Sequence, residues 1–189
     1  ATFGVLANLA DDLRHLQRSE INEVAEAYRV IFSLKDQPAV LALSRQPLPT
    51  FDRAKYAPAS GVAKGAYVLA DSEGTPDVIL LATGSEVGLA IEAHEKLVAE
   101  GVKSRVVSMP SWYRYEKQSD AYKESVLPKA VRARVAIEMA GELGWDRYVG
   151  SDGRTVTMST FGASAPIKDL LTKFGFTPEK VLEAAKAQM

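Results

Sequence analysis

The sequence contains no cysteine in 189 residues. That one absence excludes disulfides, Cys-ligated zinc, iron–sulfur clusters and thiol nucleophiles together. Histidine is almost as scarce. His15 and His94 are the only two, too few for a three-His site or a two-His zincin within one chain. An excess of either charge is also missing: 23 Lys and Arg stand against 24 Asp and Glu, a net charge of -1 with an isoelectric point near 6.2. Neither nucleic acid nor an anionic membrane is therefore an expected partner. No apolar run approaches the ~20 residues of a membrane span. The first residues have no charged segment followed by a long apolar one, so they do not read as a signal peptide. From these absences we expect a cytoplasmic protein. The chain starts at Ala1 rather than Met, from which we expect a piece of something longer.

Three phosphate and nucleophile signatures are missing as well. The sequence has no G-x-G-x-x-G, no G-x-x-x-x-G-K-[ST] and no G-x-S-x-G, which argues against dinucleotide-binding, P-loop and α/β-hydrolase readings. Residues 71–74 and 151–153 resemble fragments of calcium loops without the full ladder of ligands, and read as turns.

What is present is an alternation of strands and helices. Residues 1–18 carry a loose apolar pattern that fits either a helix or a tail. Ile21, Val24, Ala25, Tyr28, Ile31 and Phe32 fall on one helical face. After Pro38, the apolar run 39–43 reads as a buried parallel strand. Residues 47–64, with Pro47, Pro49, Pro58 and Gly61, read as a linker and divide the chain into two segments, residues 1–60 and residues 61–189. Strands are expected at 66–70, 78–83, 105–109 and 133–138. Residues 148–149 and 155–158 are expected to form an antiparallel excursion. Helices are expected after Gly84-Ser85, around residues 167–174 and after Thr177, where a Thr cap precedes Pro178. The spacing predicts an α/β fold, a three-layer αβα sandwich with a mostly parallel sheet containing one antiparallel strand. The segment of residues 1–60 has few partners for its apolar face, and we expect it to be less protected than the rest.

Few residues stand out chemically. Ser44-Arg45-Gln46 follows a strand at its carboxyl end, where open α/β sheets bind ligands, and arginine suits phosphate or carboxylate. Lone arginines are common, and on chemistry alone an ion pair across a domain interface is the favoured reading of Arg45. Gly84 and Ser85 open a helix and mark a possible anion crevice, but Glu86 in the same turn repels an anion. His94 on an apolar helix face reads as structural. Glu138 ends a strand beside Gly141 and Gly144 and reads either as a site carboxylate or as a partner of Arg132 or Arg134. Trp112, Tyr113 and Tyr115 suit a core or an interface better than a stacking platform. No acid–base pair or activated nucleophile is visible, so no catalytic residue is assigned.

The blocks VLALSRQPLP, ILLATGSEV, RVVSMPSW, ESVLPKAV, WDRYVGSDG and TFGASAP, followed by FGFT, stand in this order from residue 40 to 177. Together they resemble the carboxyl-terminal part of transketolase, from about residue 23 onward. The resemblance implies that residues 1–60 are the tail of the family's central, pyrimidine-binding domain and that 61–189 is its complete C-terminal domain. It implies transfer of a two-carbon ketol unit between sugar phosphates, with thiamine diphosphate and Mg2+ or Ca2+, in a homodimer. It matches Arg45 to the arginine that binds the substrate phosphate, with Ser44 and Gln46 holding the loop. The family's cofactor ligands and catalytic histidines lie upstream of this segment. We therefore expect no cofactor on this chain and no activity from it alone. The competing expectation is a stand-alone α/β module that binds a small anion or serves dimerisation.

Overall fold

The computed structural model describes residues 14–17 by their backbone, and residues 20–44 and 46–189 in full. The expectations for residues 1–13, 18 and 19 lie outside the described residues, and so does Arg45.

The centre of the molecule is Val78–Ala82 (β4), Val-Ile-Leu-Leu-Ala, every residue of it fully buried. A strand apolar on both faces must be covered on both. Ser104–Ser108 (β5) and Arg134–Glu138 (β6) pair parallel on its two sides. Arg154–Thr157 (β7) adds parallel to β6, and Tyr67–Asp71 (β3) adds antiparallel to β5, giving the order β3-β5-β4-β6-β7. Side chains alternate across this sheet. Val78, Leu80 and Ala82 join a core with Ala90, Ile91 and Leu97 of Val87–Ala99 (α2) and with Val181 and Ala185 of Pro178–Lys186 (α7). Ile79 and Leu81 face the other way. They pack with Tyr115 of Trp112–Glu116 (α3), Val126 of Asp120–Val126 (α4) and Tyr148 and Val149 of Asp146–Val149 (α5). The three-layer α/β sandwich with one antiparallel strand is therefore the observed fold.

The antiparallel strand is β3 at one edge, not the excursion expected at residues 148–158. Residues 146–149 are helical, and β7 runs parallel to β6. Tyr148 and Val149 are apolar because their turn of helix lies on the sheet; two such residues cannot distinguish a strand from a single helical turn. Ile167–Phe174 (α6) ends at Gly175 in the left-handed region, and Thr177 caps α7 by accepting from the Lys180 N–H. Both ends are as the sequence predicts.

The first segment of the chain departs further from expectation. Arg14–Gln17 (β1) is a strand, paired parallel with Ala39–Ala42 (β2). β2 is not buried: Val40 and the Leu43 that follows it are 38% and 51% exposed. Helix Ile21–Ser33 (α1) turns its apolar face outward, with Ile21, Tyr28 and Phe32 exposed and the Tyr28 and Phe32 rings stacked. Its buried residues are Glu23, Ala27 and Val30. The segment 47–64 is more than a linker, because Phe51, Tyr56 and Val62 are buried in the main core. Its last turn, Ala59–Lys64, ends at Gly65 with φ +90; a Cβ there would come 2.3 Å from the Tyr115 backbone nitrogen and 2.4 Å from the Ser111 carbonyl. Only glycine permits that approach.

Two buried carboxylates fix α1 to the sheet. Glu23 accepts from the Tyr67 hydroxyl at 2.6 Å and the Ser108 hydroxyl at 2.7 Å, and Tyr67 and Ser108 are register partners across β3 and β5. Glu20 caps α1 through the Asn22 and Glu23 N–H groups and pairs with Arg53, which also donates to the Ala57 carbonyl. Removing one donor from a buried carboxylate costs about 1–3 kcal/mol. Tyr67→Phe is therefore expected to lower the melting temperature by roughly 2–12 °C. Hydrogen exchange should show the loss of protection concentrated in α1 rather than in β4. Equal loss in both would mean that α1 is not held chiefly through Glu23.

Candidate functional site

The connections of the sheet point to one place. From β4 the chain passes through α2 to β5 on one side, whereas from β6 it passes through α5 to β7 on the other. The divergence leaves a crevice outside the carboxyl ends of β4 and β6, the position at which open α/β sheets bind ligands.

The sequence fills this place with polar residues. After β4 come Thr83 and the short turn Gly84–Glu86, with Gly84 at φ +60. The last residue of β6 is Glu138. Glu86 and Glu138 are both buried. The Ser85 hydroxyl donates to both Glu86 oxygens at 3.2 Å, and the Met139 N–H donates to one of them at 3.3 Å. The expected crevice at Gly84 and Ser85 thus has a carboxyl group of the chain itself beside the serine. Glu138 pairs with neither arginine considered for it. Arg132 bonds Asp152, while Arg134 donates to the carbonyls of Leu127, Pro128, Val131 and Tyr148. The group that acts on Glu138 is Glu86. The sequence carries a signal for this pairing, since each glutamate stands just beyond an apolar strand, but it does not reveal that the two strands are neighbours.

Burial pushes Glu86 up to about 7, against the opposing pull of its hydrogen bonds. Burial first, and the Glu86 charge second, push Glu138 up to about 9. Two like charges in a poorly solvated place cannot both form cheaply, so the two groups titrate as a pair.

The remaining candidates fall elsewhere. Ser44 is exposed, and its hydroxyl donates to the Gln46 carbonyl at 2.8 Å. Gln46 is exposed too. His94 is 8% exposed and its Nδ1 lies 2.7 Å from the Ser104 hydroxyl, a structural contact within the sheet–helix layer. Trp112 packs edge-on against Trp145 and Tyr148, and Tyr115 is buried behind them. These aromatics belong to the core.

The raised carboxyls set a sign for stability against pH. A carboxyl whose folded pKa exceeds its unfolded value binds more protons in the folded state, so stability falls as pH rises through the window between the two. His94, whose pKa burial lowers, works in the opposite direction and below its ordinary range. The interval from pH 7 to 9 therefore belongs to the carboxyl pair. In EDTA-containing buffer, melting temperature is expected to fall across it by roughly 6–12 °C, on the order of 3 kcal/mol. Glu138→Gln should flatten that slope and melt higher than the parent at pH 9. An unchanged slope in the variant would remove the pair as its cause.

Comparison with known proteins adds the following. Residues 65–177 match the family described as the transketolase-like TK C-terminal domain. A transketolase of Halalkalibacterium halodurans is 52% identical over 166 residues, which are 88% of this chain and 25% of that protein. A transketolase of Geobacillus stearothermophilus is 45% identical over 177 residues, 93% of this chain and 26% of that protein. The chain thus spans about a quarter of the length of these relatives. Among solved structures, a Pichia stipitis transketolase in complex with sedoheptulose 7-phosphate superposes with a TM-score of 0.83 at 35% identity, covering 94% of this chain and 25% of that one. A split-gene transketolase solved as an inactive β4 tetramer has the same fold, with a TM-score of 0.75 at 19% identity over 97% of this chain and 60% of that one.

Proposed function

Because the chain belongs to the transketolase family, we propose that it serves as the carboxyl-terminal part of an enzyme that transfers a two-carbon ketol unit between sugar phosphates. The observation that carries this reading is the 52% identity to a transketolase over 88% of the chain. In that reading the whole protein works in the cytoplasm, in the pentose phosphate pathway, as a homodimer with thiamine diphosphate and Mg2+ or Ca2+. Residues 1–60 are the end of its central domain and residues 61–189 its C-terminal domain.

Thiamine diphosphate needs a divalent ion held against its diphosphate and brings the carbanion chemistry of ketol transfer when bound. Among the described residues, no group of three or more His, Asp or Glu stands together to hold a metal ion. The described residues do not fit that group, and no step is derived through it. What this chain contributes to the reaction, in our reading, is Arg45. Its guanidinium would hold the substrate phosphate through paired charge-assisted bonds, and the hydrogen bond between Ser44 and Gln46 would hold the two neighbouring residues in place. The segments on either side of position 45 are tied to the sandwich, α1 through Glu23 and the following segment through Phe51 and through Arg53, whose guanidinium reaches the Tyr67 hydroxyl.

The 189-residue chain is expected to show no ketol transfer from xylulose 5-phosphate to ribose 5-phosphate with thiamine diphosphate and Mg2+, in a sample whose intact mass is 20.5 kDa. Turnover at that mass would overturn the assignment of the catalytic groups to the rest of the whole protein. In the whole enzyme, Arg45→Ala should raise KM for sugar phosphates roughly ten- to a hundredfold while lowering kcat much less, as loss of a charge-assisted contact to a non-reacting phosphate does. A loss confined to kcat would place Arg45 at the reacting centre instead.

A further inference from the structure

Three groups at the carboxyl ends of β4 and β6 lack the partners that their burial demands. Glu86 and Glu138 are 4% and 6% exposed. No lysine, arginine or histidine of the described residues is among the groups that act on either one. Thr83 is 3% exposed, and its hydroxyl oxygen has no hydrogen-bond partner. Buried carboxylates are ordinarily paired with a cation, and buried hydroxyls are ordinarily bonded.

The three converge. Ala82 and Ile137 are register partners, so Thr83 and Glu138 follow them as neighbours. Thr83 keeps an extended backbone, φ -135 and ψ 155. Alternation then turns the Thr83 and Glu138 side chains to the same face, opposite to Ala82 and Ile137. Glu86 arrives from the turn above, with one oxygen on the Met139 N–H next to Glu138 in sequence. An unbonded hydroxyl beside two carboxyls without a counter-charge outlines a position that calls for a positive centre.

We propose that Glu86, Glu138 and the Thr83 hydroxyl form a binding site for one small, hard divalent cation, Ca2+ or Mg2+, between the carboxyl ends of β4 and β6. All three donors are oxygens, which favours Ca2+ or Mg2+ over the softer transition metals. Two carboxylates balance two positive charges. The low exposure of both glutamates admits an ion and excludes an organic ligand. Ser85 takes one acceptor site on each Glu86 oxygen and the Met139 N–H a second on one of them, which leaves a site on the other oxygen, away from Met139, for coordination. The third protein oxygen is a hydroxyl, which no count of acidic side chains includes, and water completes the shell as it does for Mg2+ in most protein sites. The proposal does not depend on which reaction the whole protein performs.

The test is calorimetry on the 189-residue chain, stripped with EDTA and dialysed at pH 8. CaCl2 and MgCl2 are compared with KCl at equal ionic strength. At a hundred times the dissociation constant, Ca2+ or Mg2+ should raise the melting temperature by roughly 5–10 °C beyond the KCl control, and titration should find one ion per chain. Glu138→Gln should abolish the shift, while its stripped form melts no lower than the parent, which shows that the fold survives. Thr83→Val should weaken binding. No shift beyond KCl, or a shift that Glu138→Gln keeps in full, overturns the site. Should Glu138→Gln not fold, stoichiometry in the parent and weakening by Thr83→Val decide: no bound ion, or unweakened binding, overturns it.

Discussion

Everything in this chain is arranged around a strand that has no side facing water. All five residues of β4 are apolar and fully buried, so both faces of the sheet need helices and both long edges of β4 need partners. α2 and α7 cover one face, and α3, α4 and α5 cover the other. Once the faces and edges are closed, the strand ends are the only part of β4 where polar groups can gather. The amino end meets the loop of Asp77 and Lys103, where backbone bonds close the turn. The carboxyl end meets Thr83, Glu86 and Glu138. The crevice is thus a consequence of the burial of β4 and of the opposite directions in which the chain leaves β4 and β6.

The same edge of the sheet holds a second set of buried carboxylates in the opposite condition. Glu23 and Glu20 receive donors from Tyr67, Ser108, Asn22 and Arg53. Burial, with the Glu23 carboxylate beside it, holds the Tyr67 hydroxyl well above the ordinary phenol range, so it remains a donor at any neutral pH. These carboxylates are structural: Glu20 is paired with the Arg53 guanidinium, and Glu23 accepts from two buried hydroxyls. At the carboxyl ends of β4 and β6, Glu86 has neutral donors alone and Glu138 has Glu86 for a neighbour. Equal burial with unequal satisfaction separates a group that holds the fold together from one that destabilises it. Natural folds retain the second kind chiefly where a site requires it.

Legibility in the sequence follows the length of each signal. The strands β4, β5 and β6 are readable because continuous apolar runs bounded by Pro110, Gly84 and Gly101 leave few alternatives. The helix from Thr177 is readable from its cap and proline. The motif blocks identify the family. Residues 148–149 mislead because two apolar residues have no period to measure. The outward face of α1 is legible as apolar, but not as outward: the sequence shows which residues share a face, and only the packing partner shows which way that face turns. Glu138 stands out as a candidate, yet the nearest opposite charges in sequence are arginines that bond elsewhere. The adjacency of β4 and β6 is a fact of topology, in which Ile79 pairs with Arg134 and Ala82 with Ile137, and no local pattern contains it.

The two faces of α1 show how the chain divides. One face carries Glu23, Ala27 and Val30, and it is finished: buried, bonded and continuous with the core of the sandwich. The other carries Ile21, Tyr28 and Phe32, and with Val40 and Leu43 of the β2 segment it leaves apolar surface in water. The face turned to the core is thus anchored by a buried carboxylate, while the face turned away is the more apolar of the two. The buried bonds of Glu23 decide which face is the inner one: they tie α1 to β3 and β5 and leave Ile21, Tyr28 and Phe32 on the side away from the sandwich.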